Sequence, residues 1–207
     1  MAFGAAPVNA GSSGRILEPA EWADAGIPLL RSPREVVSGL FSRHDPSPAT
    51  AVVAVLDPEE RLLASASFGP SGPGRRIGRG MAAGLADGWY ARNALLSHLR
   101  RVIPHDLRRR SPVRTAVLLY CRTGGEAWTE EDGAWMWGLR DACTLHGLRC
   151  GAYITLTPQG WNVLGEGRGG RSPQALGDDL REARTPPGPS RTSAGGSAVP
   201  LRWTAAR

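Results

Sequence analysis

The stretch from residue 113 to 148 constrains this chain more than any other. Thr115-Ala116-Val117-Leu118-Leu119-Tyr120 is a continuous apolar run, too short for a packed helix and rich in branched side chains, as a strand buried on both faces must be. Cys121-Arg122-Thr123-Gly124-Gly125-Glu126-Ala127-Trp128 follows, with two adjacent glycines where the backbone must turn. Thr129-Glu130-Glu131-Asp132 then reads as a helix N-cap and an acidic first turn. Trp135, Leu139, Ala142, Cys143 and His146 recur at helical spacing on one side, and Gly147 supplies the stop. A strand, a glycine turn and a helix in this order predict an α/β fold. Ligand sites in such folds lie at strand ends, so residues 120–132 are the first place to look for chemistry.

With 207 residues, 41% hydrophobic and 21% charged, the chain supports one core, expected over residues 15–166. Residues 1–14 are Gly-, Ala- and Ser-rich, and 167–207 are Arg-, Gly-, Pro- and Ser-rich; neither shows an apolar period, which predicts disordered tails. The formal charge is +6, and all 25 basic side chains are arginine. That bias, with abundant Ala, Gly and Pro, fits the codon usage of a high-GC, actinobacterial genome better than a selected binding surface. Positive charge still implies weak, salt-sensitive adsorption of nucleic acid. Cys121, Cys143 and Cys150 are odd in number and lie in or beside core elements, so they read as reduced, buried thiols. No basic leader precedes an apolar stretch and no apolar run is long enough for a bilayer, which predicts a soluble, cytoplasmic protein.

Taken in order, Trp22, Ile27, Leu29 and Leu30 read as an irregular lead-in. Ser32-Pro33-Arg34-Glu35 carries a capping serine, proline at the first helical position and a glutamate reaching back. Ala51 to Leu56 and Arg61 to Phe68, joined by an Asp57-Pro58 turn, predict a hairpin with the first strand central and the second near an edge. Leu85, Trp89, Arg92, Leu96, Leu99 and Ile103 step by helical intervals along an inward stripe that Leu95 widens, with Arg92 its one polar interruption. Arg149 to Leu156 and Trp161 to Leu164 predict a closing hairpin around Pro158 and Gly160. The order is α-β-β-α-β-α-β-β.

That order and these strings resemble the JAB/MPN metalloprotease-like fold, in its RadC-type bacterial branch, over about residues 29–166. The resemblance implies a single three-layer α/β domain with a mixed central sheet. Thr115 to Tyr120, the loop and Thr129-Glu130-Glu131-Asp132 stand where that family carries a His-x-His-Pro-Ser-Gly loop and a Ser-x-x-Asp helix start. An active member holds zinc with the two histidines and the aspartate, and an upstream glutamate works on the metal-bound water. Here the histidine positions fall on Tyr120, Cys121 and Arg122, and the glutamate region reads Ser47-Pro48-Ala49-Thr50. Thr129 and Asp132 are the motif remnant. The Asp-His pair of RadC-type members is replaced by Gly151 and Ala152. The resemblance therefore implies a domain without its metal centre, with no catalytic residue and no cofactor.

Rival constellations are weaker. A rebuilt zinc site would draw on Asp132, Cys121, Cys143, His146 and Cys150, but no Cys-x-x-Cys occurs and Cys143 reads as core. Residues 165–170 match a dinucleotide glycine pattern, yet no helix is expected to follow, so they read as a flexible exit. Surface or capping roles suffice for His44, His98, His105 and His146. Of Trp128, Trp135 and Trp137, one is expected to be exposed. The reading is a non-catalytic binding or scaffold module. Cys121, Arg122 and Trp128 are expected to share one rim with Arg108, Arg109, Arg110 and Arg114, facing a protein partner or nucleic acid. The alternatives are a metal-dependent (iso)peptidase or nuclease-like hydrolase, and a profilin-like or roadblock-like interaction scaffold.

Overall fold

Residues 51–56, 116–121 and 151–156 are buried without a break, so each run must be covered on both sides. The computed structural model, which describes residues 15–69, 87–105 and 111–173, satisfies them in one mixed six-stranded sheet. The strands are β1 (Thr50–Leu56), β2 (Leu62–Phe68), β3 (Thr115–Cys121), β4 (Arg149–Leu156), β5 (Trp161–Val163) and β6 (Arg168–Gly170). The helices are α1 (Pro19–Asp24), α2 (Pro33–His44), α3 (Gly88–Val102) and α4 (Glu130–His146). Across the sheet the order is β2-β1-β3-β4-β5-β6. Only β3 and β4 run parallel, joined by α4; every other neighbouring pair is antiparallel.

Side chains that alternate along each strand enter two separate cores. Val53, Val55, Leu118, Tyr120 and Tyr153 pack under α3 and α4 with Leu95, Leu99, Met136 and Leu139. Val52, Ala54, Val117, Leu119 and Ile154 pack with Val37 and Leu40 of α2. The sheet is thus covered by helices on both faces. α3 and α4 touch closely, since a Cβ added at Gly138 would stand 2.7 Å from the Ala91 Cβ.

Four local expectations are revised. The lead-in contains a helical turn, α1, whose Trp22 is buried, because a Glu18–Glu21 capping box and Pro19 start it without any apolar period. Ser32 makes no side-chain cap on α2; Glu60, from the β1–β2 turn, instead accepts from the Arg31 and Ser32 amides at 2.9 and 3.4 Å. On α3 the expected Leu95, Leu96 and Leu99 are buried and Ala91 joins them, whereas Trp89 is 43% exposed and stacks under Arg92; Leu85 lies outside the described residues. Residues 165–170 are no flexible exit: Gly165 and Gly167 take positive φ and turn the chain into β6, so the domain runs past 166. The remaining tail assignments, 1–14 and 174–207, lie outside the described residues. No described helix is long and apolar enough to cross a membrane.

Candidate functional site

The end of β3 and the start of α4 meet where the sequence directs attention. Thr129 has extended backbone and its hydroxyl accepts from the Asp132 amide at 3.2 Å, while Asp132 Oδ2 accepts from the Thr129 amide at 2.9 Å. This reciprocal capping box holds the Asp132 side chain through contacts within its own helix start. The carboxylate is fully buried. A buried carboxylate must be paired or neutralised, and here the partner is Arg122, itself 7% exposed.

The pairing is a fork on a fork. Arg122 Nε donates to Asp132 Oδ1 at 3.2 Å and Nη2 lies 3.1 Å from Oδ2. The other guanidinium hydrogens go to the loop: Nη2 to the Ala127 carbonyl at 2.7 Å, Nη1 to the Gly125 carbonyl at 2.8 Å and to that of Thr123 at 3.5 Å. Four of the five donor hydrogens thus make hydrogen bonds, and Nη2 adds an ion pair to Oδ2. Asp132 is equally full, for Oδ1 also accepts from the Tyr153 hydroxyl at 2.9 Å and Oδ2 from the Thr129 hydroxyl at 2.8 Å.

Tyr153 reaches Asp132 because of a bulge. β3 pairs Ala116 with Cys150 and Leu118 with Tyr153, so one residue of β3 faces two of β4 at Gly151 and Ala152. The extra residue reverses the side-chain alternation and turns Tyr153 toward α4. Gly151 permits it, since a Cβ there would stand 2.6 Å from Thr115 Cγ2 and 2.8 Å from the Ala116 carbonyl oxygen. Burial and then the Asp132 carboxylate raise the Tyr153 hydroxyl well above its usual pKa, so it stays a proton donor. Tyr120 donates to Glu131 in a short hydrogen bond, and burial followed by that bond raises its hydroxyl too. Neither phenol is a nucleophile in this state, and neither position 120 nor position 122 presents a free metal-binding atom.

Other expected participants are dispersed. Cys121 points to the α2 side of the sheet, where its thiol meets the Pro46 carbonyl at 3.5 Å; burial pushes its pKa up. Cys143 lies in the opposite core, its thiol raised by hydrogen bonding to Cys150 and by burial, and Cys150 is half-buried at the far end of β4. The sheet therefore separates Cys121 from Cys143, and Asp132 is committed to Arg122. Among the described residues no group of three or more His, Cys, Asp or Glu side chains can hold a metal ion, so the rebuilt zinc site does not assemble. His146 is buried with neither ring nitrogen hydrogen-bonded, and His98 stacks on Phe68 at 4.1 Å, so neither has the surface or capping role expected of it.

The expected rim also comes apart. Arg114 precedes β3 and Cys121 ends it, which places them about 20 Å apart along an extended strand. Arg108, Arg109 and Arg110 lie outside the described residues. Around Arg122 the exposed charged side chains are acidic instead, Glu126 and Glu130. Trp128 and Trp137 are both half-buried, and among the described residues the exposed indole is Trp89, 5.1 Å from Trp137. A cavity of about 320 Å³ opens at the opposite end of the domain, between α2 and the β1–β2 turn, lined by Arg31, Glu35, Val36, Leu40, Leu56 and Arg61. Compared with known proteins, the chain matches no family model, no curated protein and no solved structure.

Proposed function

We propose that the chain is a metal-free domain of JAB/RadC-like type that acts by binding a protein partner at the 122–130 loop. The observation that carries this reading is the saturation of Asp132. The one carboxylate retained from the family's ligand set spends both oxygens on Arg122, Tyr153 and Thr129. Zinc needs an open lone pair and three ligands; the guanidinium puts a fixed positive charge where such an ion would sit, and holds the loop through three carbonyls as well. The residues present do not fit the metal, and no hydrolytic step is derived from them.

A buried, fully bonded arginine makes residues 123–127 a preorganised loop, which lowers the ordering cost of binding. Its exposed charges, Glu126 and Glu130, disfavour a phosphate backbone there and support a protein partner over nucleic acid. The element order and the Thr129–Asp132 helix start support the JAB/RadC-like reading over a profilin-like or roadblock-like scaffold.

Metal analysis tests it. The purified chain, incubated with zinc and desalted, is expected to retain far less than one ion per chain. The Tyr120→His/Arg122→His double variant, checked for folding by circular dichroism, rebuilds the His-x-His and frees Asp132, and is expected to approach one zinc per chain. Stoichiometric zinc in the unaltered protein would overturn the reading, and a folded double variant that takes up none would break the positional match to the family.

A further inference from the structure

The two lateral margins of the sheet are built differently. β6 closes one side with three residues, two of them glycine, and its arginine is tied down: Arg168 Nη1 donates to the Leu30 carbonyl at 2.6 Å and Nε to Glu166 at 2.7 Å. β2 closes the other side with seven residues, Leu62–Phe68, which include neither charge nor proline. Among the described residues, no backbone group of β2 bonds on the side away from β1. Single chains protect such an edge by shortness, charge, proline or a bulge. Among the described residues β2 has only the bulge. It falls at Leu63, between the pairs Val55–Ala64 and Leu56–Leu62, and leaves residues 64–68 in unbroken register with β1.

We propose that residues 64–68 form a homodimerisation edge, two copies pairing antiparallel about a two-fold axis at Ala66 and joining their sheets into one. The strand is its own complement. In that register Ala66 faces Ala66, Ser65 faces Ser67 and Ala64 faces Phe68 of the second copy. Opposed residues share a face: Ala66 and Phe68 pack toward α3 and α4, while Ser65 meets His44 of α2 at 2.8 Å on the other side. The side chains are small where the backbones must approach, and no cross-strand pair sets like charges together. Two copies each at +6 repel overall, so an uncharged strip is where they meet at least cost. A foreign acidic partner would find nothing on β2 to hold it. Beside the strip, burial, then Arg43 and Arg101 respectively, lower the pKa values of His44 and His98, so neither ring adds a charge at pH 7.

Sedimentation equilibrium of the full chain at pH 7 over a concentration series tests this, with an expected limit of twice 22.0 kDa. Ser67 is exposed, so Ser67→Lys and Ser67→Glu are expected to fold, as circular dichroism will verify. Positions 67 of the two copies lie on a diagonal about 7–8 Å apart, within reach of long side chains. Each variant alone is expected to weaken the dimer roughly tenfold, because the axis repeats every unfavourable contact. An equimolar mixture of the two is expected to recover it. A monomeric mass throughout the series, a dimer indifferent to Ser67→Lys, or weakening without recovery in the mixture would each overturn the proposal.

Discussion

The two ends of α4 bury polar side chains in opposite ways. At its start, Asp132 and Arg122 are out of water, ion-paired to each other and hydrogen-bonded to the loop, the helix cap and Tyr153. At its end, some 24 Å along a seventeen-residue helix, His146 is just as deeply buried and neither ring nitrogen has a partner. The first arrangement joins a strand end, a loop, a helix cap and a second strand; the second joins nothing by hydrogen bonds. A polar group in the interior organises its surroundings only when its partners come from different elements, and that distinguishes a site from a residue tolerated in a core.

Three measurements of unfolding free energy sharpen or break this contrast. Arg122→Ala strands a buried carboxylate and is expected to cost about 3–5 kcal/mol, whereas Arg122→Met combined with Asp132→Leu is expected to cost less than the single change. A small loss in Arg122→Ala would mean that the pair is not the organiser described. Thr129→Ala removes one half of the capping box and one bond to Asp132, with an expected cost of about 1 kcal/mol in urea titrations. His146→Leu gives up no hydrogen bond and relieves an unsatisfied imidazole, so it is expected to fall within about 1 kcal/mol of zero, on the stabilising side. A cost for His146→Leu comparable to that for Arg122→Ala would erase the difference between the two ends.

Most of the fold was legible from local pattern. β1, β3 and β4 announced themselves as uninterrupted apolar runs, and α4 by Thr129, the acidic turn and Gly147, because each signal needs only its own residues. α1 and β6 were not legible. Six residues with a single buried side chain show no period, and a glycine-rich three-residue strand exists only because Trp161 to Val163 pairs with it. The α3 stripe was misplaced because Trp89 and Arg92, read as inward and interrupting, stack on each other near the surface at 4.3 Å. At the site, Asp132 was found through its spacing from Thr129. Its bonds to Arg122 and Tyr153 were not, since the first depends on how the loop folds back and the second on a bulge set by crowding at Gly151. The remaining hint was an arginine directly after a strand with no exposed position, a place where a charge survives only with a built partner.

The three residues of β6 carry more weight than their length suggests. If β2 is the one margin that pairs, as proposed above, a molecule can join one other copy and is then finished, so association stops at a pair. Ending the chain at Glu166 would strip β6 and the Arg168 clasp on Leu30, leaving β5 bare opposite β2. Each molecule would then offer two sticky sides, and growth would run on into open-ended filaments.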